Sequence, residues 1–390
     1  MLVPAGANPA FASPSSPKGA APIRNMRVTF WGVQGSCPIF PTSEEIRDYA
    51  RQVASYAVSH SSQGETPAPD PGHEPIDSPG LPDLPNYGGE TSCIEVETSE
   101  GNVLVLDLGT GVRVLSRALL QKWPDGRERL LHVFGTHPHL DHRQGLAFAS
   151  FCFAKPSFTV PMYGSHLFLA ALDDRYGLFS HKITPAMHLD DPLDYQLMAA
   201  KFTGTELRPA GAAITGPTPW PVQDAAQAVH VGATSVTAFP VYHGPTPCLA
   251  YKIRHGSASF VYCTDHELRH GPDPTDPRQL ESEAAEAEIR RQCQGVDAAY
   301  FDTQYLAAEY HGQQGIGLAP PVSRLDWGHG CLEDVMVRAS ECRIGRTYAG
   351  HHDPERPYTQ RFQIDQDLRR WSKSSGVHVE LAKAGAVIDL

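Results

Sequence analysis

Hydrophobic and polar residues alternate along Met26–Gly32 (MRVTFWG), the two-residue period of a strand with one buried face. Thr91–Thr98 and Asn102–Asp107, with a Ser-Glu-Gly turn between them, read as a strand pair. Asp107-Leu-Gly-Thr-Gly leads into a predicted helix at Val112–Lys122. Leu130–Thr136 reads as a short buried strand, and Phe158–Tyr163 as another after the Lys-Pro break. Residues 165–230 carry little pattern beyond a helix after Ser165 and a Pro/Gly-rich loop, AGAAITGPTPWPVQDA. Strands are expected at Val231–Tyr242, Leu249–Arg254, Ser259–Thr264, Ala298–Asp302, Thr347–Ala349 and near Val377–Leu381. Helices are expected at Gln279–Cys293, Cys331–Cys342 and near Asp365–Ser372. Strands dominate early and helices separate them later, with no internal repeat. That order predicts two mixed sheets packed together with helices outside.

Two stretches lack periodicity. Residues 1–25 are rich in Ala, Pro and Ser without a basic start or apolar core, so they read as a disordered tail and not a signal peptide. Residues 41–86 read as an insertion: a short helical stretch near Glu44–Ser59, then a flexible surface loop dense in Pro, Gly and acid. The remainder, 26–390, is expected to form one domain. No apolar run approaches the roughly 20 residues of a membrane-spanning helix. The net charge of −12 argues against broad capture of nucleic acid or anionic membrane. Eight scattered cysteines with no CxxC pair suggest reduced thiols and a cytoplasmic protein.

Nineteen histidines, many clustered, turn attention to metal chemistry. Thr136-His137-Pro138-His139-Leu140-Asp141-His142 places three imidazoles and a carboxylate just past a buried strand. Those are the donors that zinc and similar ions accept. His137 and His139 can point to one side of an extended backbone, while Asp141 and His142 fall on the following turn. Three further candidates follow strands: His243 (FPVYHG), Asp265 (FVYCTDHE) and His351 (TYAGHHDP). Asp265 also has the residue type of a helix N-cap, and His351 competes with its neighbour His352.

The HxHxDH run and the order of these candidates resemble the metallo-β-lactamase superfamily. The resemblance spans about residues 26–355 and implies a four-layer αββα sandwich. It implies that His137, His139 and His243 hold one divalent ion, that Asp141, His142 and His351 hold a second, and that Asp265 bridges them. Zinc is the expected metal, with Mn or Fe as alternatives. His352 would then lie behind the ligands or touch substrate. GVQGSCP, YGGETSC, DLGTG, GHG and HHDPER together are similar to the branch containing ribonuclease Z and cyclic-nucleotide phosphodiesterases. That branch implies that His329 protonates the leaving oxygen. Glu267 would hold His329 in place, and Asp141 would orient the attacking hydroxide generated between the ions.

The expected function is hydrolysis of a small phosphodiester such as a cyclic nucleotide, with homodimerisation common in the branch. Three other readings share the fold: a tRNA 3′-processing endoribonuclease, a thioester, lactone or β-lactam hydrolase, and a non-catalytic metal-binding module. The acidic balance and the lack of a basic Gly-rich arm weigh against the large RNA substrate.

Overall fold

The computed structural model describes residues 25–43, 45–47, 50–51, 54, 87–123, 128–182, 194–212 and 218–390. The expected disordered tail and most of the expected insertion lie outside these residues. The described positions between 43 and 54 are helical, as expected there, and Thr42 and Glu45 cap that turn reciprocally, backbone N–H to side-chain oxygen.

One sheet contains β1 (Met26–Gly32), β2 (Cys93–Thr98), β3 (Val103–Leu106), β4 (Leu131–Gly135), β5 (Thr159–Gly164), β6 (Lys201–Arg208), β7 (Val222–Asp224) and β15 (Val387–Asp389). Its order is β15-β1-β2-β3-β4-β5-β6-β7. The other contains β8 (Val229–Val231), β9 (Thr234–Val241), β10 (Cys248–His255), β11 (Ala258–Cys263), β12 (Ala298–Asp302), β13 (Arg346–Gly350) and β14 (Val379–Leu381), in the order β14-β13-β12-β11-β10-β9-β8.

Phe30, Val96, Leu104 and Phe134 from the first sheet meet Tyr251, Ile253, Phe260 and Tyr300 from the second in one buried cluster. On the outer face of the first sheet, α1 (Val112–Lys122) and α2 (His166–Tyr176) bury Leu115, Leu119, Phe168 and Leu172. Outside the second sheet lie α3 (Pro277–Cys293), α5 (Leu332–Glu341) and α6 (Tyr358–Ser375), with Ile289, Val335 and Leu368 turned inward. A single turn, α4 (Ala307–Tyr310), sits between β12 and α5. The result is the four-layer helix–sheet–sheet–helix sandwich that the sequence implied.

Local chemistry explains the element ends. Ser165 caps α2 by accepting from the Phe168 N–H, and Gly177 closes it in the left-handed conformation. Asp276 caps α3 directly before Pro277. The structure corrects the reading in three places. The strand expected at Val231–Tyr242 is β9, which starts at Thr234; Val231 ends the short strand β8, which turns back on β9 at Gly232. The poorly patterned stretch holds β6 and β7 as well as α2. The expected strand near Val377–Leu381 is β14, and one more strand, β15, follows it. Among the described residues no helix is long and apolar enough to cross a membrane.

One buried ion cluster outside the site bears on stability. Glu286 of α3 receives Arg338 from α5, Arg290, and His266. Burial alone would raise the Glu286 pKa, but Arg338 and His266 hold it well below the usual carboxylate range. Its folded pKa therefore lies below its unfolded value. The contribution is complete above the ordinary carboxylate pKa and is lost as pH falls below it. Arg338→Met leaves the buried carboxylate with only Arg290 and His266 as partners, so a loss of about 3 kcal/mol is expected. Thermal melts at neutral and acid pH should show that loss, with a shallower acid dependence than the parent. Equal melts at both pH values would rule the pair out as a stabilising element.

Candidate metal centre

The parallel strands explain why distant residues converge. β3 and β4 run parallel, as do β11, β12 and β13. β9 shares the direction of β11 because both are antiparallel to β10. The C-terminal ends of all six open at one edge of the sandwich. Asp107 follows β3, His137 follows β4, His243 follows β9, Asp265 follows β11, Asp302 closes β12, and His351 follows β13. His139 extends from β4, and Asp141 and His142 lie on the next 3-10 turn.

The side chains form overlapping groups of donors. One nitrogen each from His137, His139 and His243 lie within 4.8 Å of one another, as do donors of Asp141, His142 and His351. Asp265 stands between the groups. Its Oδ2 is 3.1 Å from His142 Nε2, and its Oδ1 is 3.4 Å from His351 Nε2, 3.8 Å from His137 Nε2 and 3.9 Å from His243 Nε2. All seven residues proposed from the sequence are thus brought together. Asp107, Asp265 and His351 adopt positive φ values of 60°, 51° and 57°. For residues with a Cβ that backbone is strained, and such strain concentrates where a side chain must be aimed at a site.

Hydrogen bonding fixes which ring nitrogen faces inward. His142 Nδ1–H donates to Asp107 Oδ2 at 2.8 Å, His243 Nδ1–H to the Gly328 carbonyl at 2.7 Å, and His351 Nδ1–H to Gln304 Oε1 at 3.1 Å. His137 Nδ1–H donates to Thr136 Oγ1 at 3.0 Å, whose own hydroxyl donates to Asp107. Each ring therefore keeps an Nε2 lone pair for the cluster. Nε2 of His137 and of His142 is buried with no hydrogen-bond partner among the described residues. His243 Nε2 and His139 Nδ1 approach to 3.1 Å. Two facing lone pairs at that distance repel unless a proton or a cation lies between them. This donor set fits divalent ions of the zinc type.

Electrostatics agree. Burial holds His137 well below the usual imidazole range and pushes His243 down to about 4, which keeps both neutral and able to coordinate. Burial also opposes charge on His142 and His351, yet the surrounding carboxylates raise both, His351 to about 9. A cation in the cluster would displace those protons.

The outer partners are where the sequence reading fell short. Asp107 was read only as the start of a loop into α1. It accepts from His142, from the Thr136 backbone and hydroxyl, and from Tyr262 Oη. Asp302 was read only as a strand end. Its Oδ2 accepts from His329 Nδ1 at 2.9 Å and from the Gly330 N–H. The expectation that Glu267 holds His329 is therefore corrected. Glu267 is buried, and its carboxylate is filled by Tyr310 Oη, the Asp326 N–H and the Gly328 N–H. It pins the backbone of the loop before His329. Gly328 must be glycine there, since its φ is +85° and a Cβ would come within 2.3 Å of His243 Nδ1.

Two alternatives also resolve. His351 enters the cluster, whereas His352 turns away and donates to the Ala382 carbonyl at 2.9 Å, so it stands outside the cluster. No helix follows Asp265 directly, so it is not a cap; α3 begins at Pro277.

Asp107→Asn tests the outer layer. The amide still accepts but no longer supplies charge behind His142, so metal affinity should fall about 10–100-fold. Competition with a chromogenic chelator measures this, and unchanged affinity would show that Asp107 serves folding alone.

The arrangement has relatives among solved structures. Zinc-bound PqqB from Methylobacterium extorquens aligns with TM-score 0.54 at 15% identity, covering 93% of this chain and 100% of that one. Unliganded yeast PDE1 aligns with TM-score 0.53 at 14% identity, covering 94% and 99%. A diphosphatase of the PhnP family aligns with TM-score 0.50 at 16% identity, covering 94% and 98%. At these identities the likeness speaks to fold. No curated protein sequence matches the chain. The family description "Metallo-beta-lactamase superfamily" matches residues 86–321, more than half of the sequence. The chain belongs to the metallo-beta-lactamase superfamily.

Proposed function

We propose that the protein is a binuclear metal-dependent phosphodiesterase acting on a small phosphodiester such as a cyclic nucleotide. One observation carries the reading. His329 sits at the edge of the seven-residue cluster, only part-buried, with Nδ1 tied to Asp302 and Nε2 without a partner among the described residues. Its ring lies 5.0 Å from that of His351 and 5.2 Å from that of His243. An imidazole so held is a proton donor aimed beside a metal centre, which a poor alkoxide leaving group needs.

His137, His139 and His243 would hold one ion, Asp141, His142 and His351 the other, and Asp265 both. Bound there, divalent ions would supply a nucleophile at neutral pH and countercharge for a phosphoryl oxygen. The chain's own residues do the rest. Asp302 accepts from His329 Nδ1–H and orients the ring, whose Nε2 would pass a proton to the departing oxygen. Asp141 Oδ2, which accepts the Ser36 N–H at 2.8 Å, keeps one face of the cluster polar and oriented. Glu267 keeps the Gly328–His329 backbone in register. The yeast PDE1 and the PhnP-family diphosphatase share this fold, which supports a phosphorus ester as substrate.

The test is metal analysis of the purified chain with a screen of cyclic nucleotides, bis-p-nitrophenyl phosphate and tRNA precursors. Hydrolysis of the small diesters is expected. Inertness toward all of them at full metal loading would end the phosphodiesterase reading. Cleavage of tRNA precursors alone, weakening steeply with salt, would move it to the RNA substrate.

A further inference from the structure

Arg324 lies outside the metal cluster, yet its setting is unusual. The residue is 9% exposed. Its guanidinium carbon lies 4.2 Å from the Trp327 ring centre and 5.7 Å from that of Tyr305. Neither a carboxylate within 4 Å nor any hydrogen-bond acceptor meets its N–H groups among the described residues. The nearest acid along the chain, Asp326, is already taken by Arg269 and Arg278. Buried arginines are almost always paired with an anion. Here two aromatic faces orient the cation without neutralising it.

The position relates it to the centre. Tyr305, which stacks below Arg324, has its ring 6.1 Å from that of His329 in edge-on contact. Trp327 is half exposed and precedes Gly328, whose carbonyl holds His243. Arg324 is thus two ring contacts from the proposed proton donor.

We propose that Arg324 binds a second anionic group of the substrate, a phosphate or carboxylate on the leaving-group side, with Trp327 and Tyr305 holding its guanidinium plane. The inference rests on the phosphodiesterase reading and narrows it to diesters that carry a further anion. A planar fork of N–H donors suits two oxygens of such a group.

The experiment compares thymidine 3′,5′-bisphosphate with thymidine 5′-phosphate as ligands of the full, metal-loaded chain by calorimetry. The bisphosphate should bind roughly 10-fold more tightly than the monophosphate. Arg324→Gln should erase that ratio, and Arg324→Lys should restore part of it. Because the ratio is read within one protein, a partly unfolded variant does not distort it. Equal affinities in the parent chain, or a ratio that survives Arg324→Gln, would overturn the proposal. The result is separable from catalysis: an Arg324-dependent ratio in a protein that cleaves no diester would retain the anion site and remove the phosphodiesterase.

Discussion

Replacing Asp265 with alanine is expected to remove bound metal and hydrolytic activity together. Among the described residues, Asp265 is the carboxylate placed between both groups of nitrogens, with oxygens 3.1–3.9 Å from four inward-facing imidazole nitrogens. Its loss should exceed the roughly 10–100-fold cost of losing an outer partner. The alanine also inherits a φ of +51°, which costs about 1–2 kcal/mol for a residue without a polar side chain. Asp265→Asn separates the two effects, because asparagine tolerates that backbone while giving up the charge. Metal content and turnover should fall in both variants, with the melting temperature falling more in the alanine. An alanine variant that keeps its metal and its rate would remove Asp265 from the centre.

The second large effect concerns His329. If its Nε2 proton goes to the leaving oxygen, His329→Gln should slow hydrolysis of an alkyl diester by about 10²–10⁴-fold. Bis-p-nitrophenyl phosphate expels a stabilised phenolate that needs little protonation, so the same variant should lose far less on it. Asp302→Asn should follow the same pattern more weakly, since Asp302 would act through the orientation of the His329 ring. Equal losses on both substrates would assign His329 to binding and not to proton transfer.

How much of this was legible in the sequence differs from residue to residue. The HxHxDH run was legible because its donors are packed into six positions beside a strand whose apolar run marks it as buried. His243, Asp265 and His351 could be proposed because each follows a strand and matches the family order. The layered fold followed from where strands and helices fall along the chain. What stayed hidden depends on strand neighbours. Asp302 and His329 are separated by 27 positions, but β12 lies parallel to β11 and places Asp302 beside the loop that carries His329. Glu267 drew attention because it is two positions from Asp265, yet its backbone points it toward Tyr310 and the 326–328 loop instead. Asp107 reads as a turn residue because its neighbours are Leu-Gly-Thr-Gly; only β3–β4 pairing brings it under Thr136 and His142. A single aspartate at a parallel strand's C-terminal end, in a chain with a histidine cluster, is the signal that could have found both. Arg324 left no pattern at all, since its interest lies in the absence of an acid around it.

The most direct test is a metal titration of the chelator-treated full chain, followed by hydrolysis of bis-p-nitrophenyl phosphate. The account predicts that activity is absent without metal and rises to a plateau at two ions per chain. Activity that ignores the metal, a plateau at one ion, or silence at saturation would contradict it.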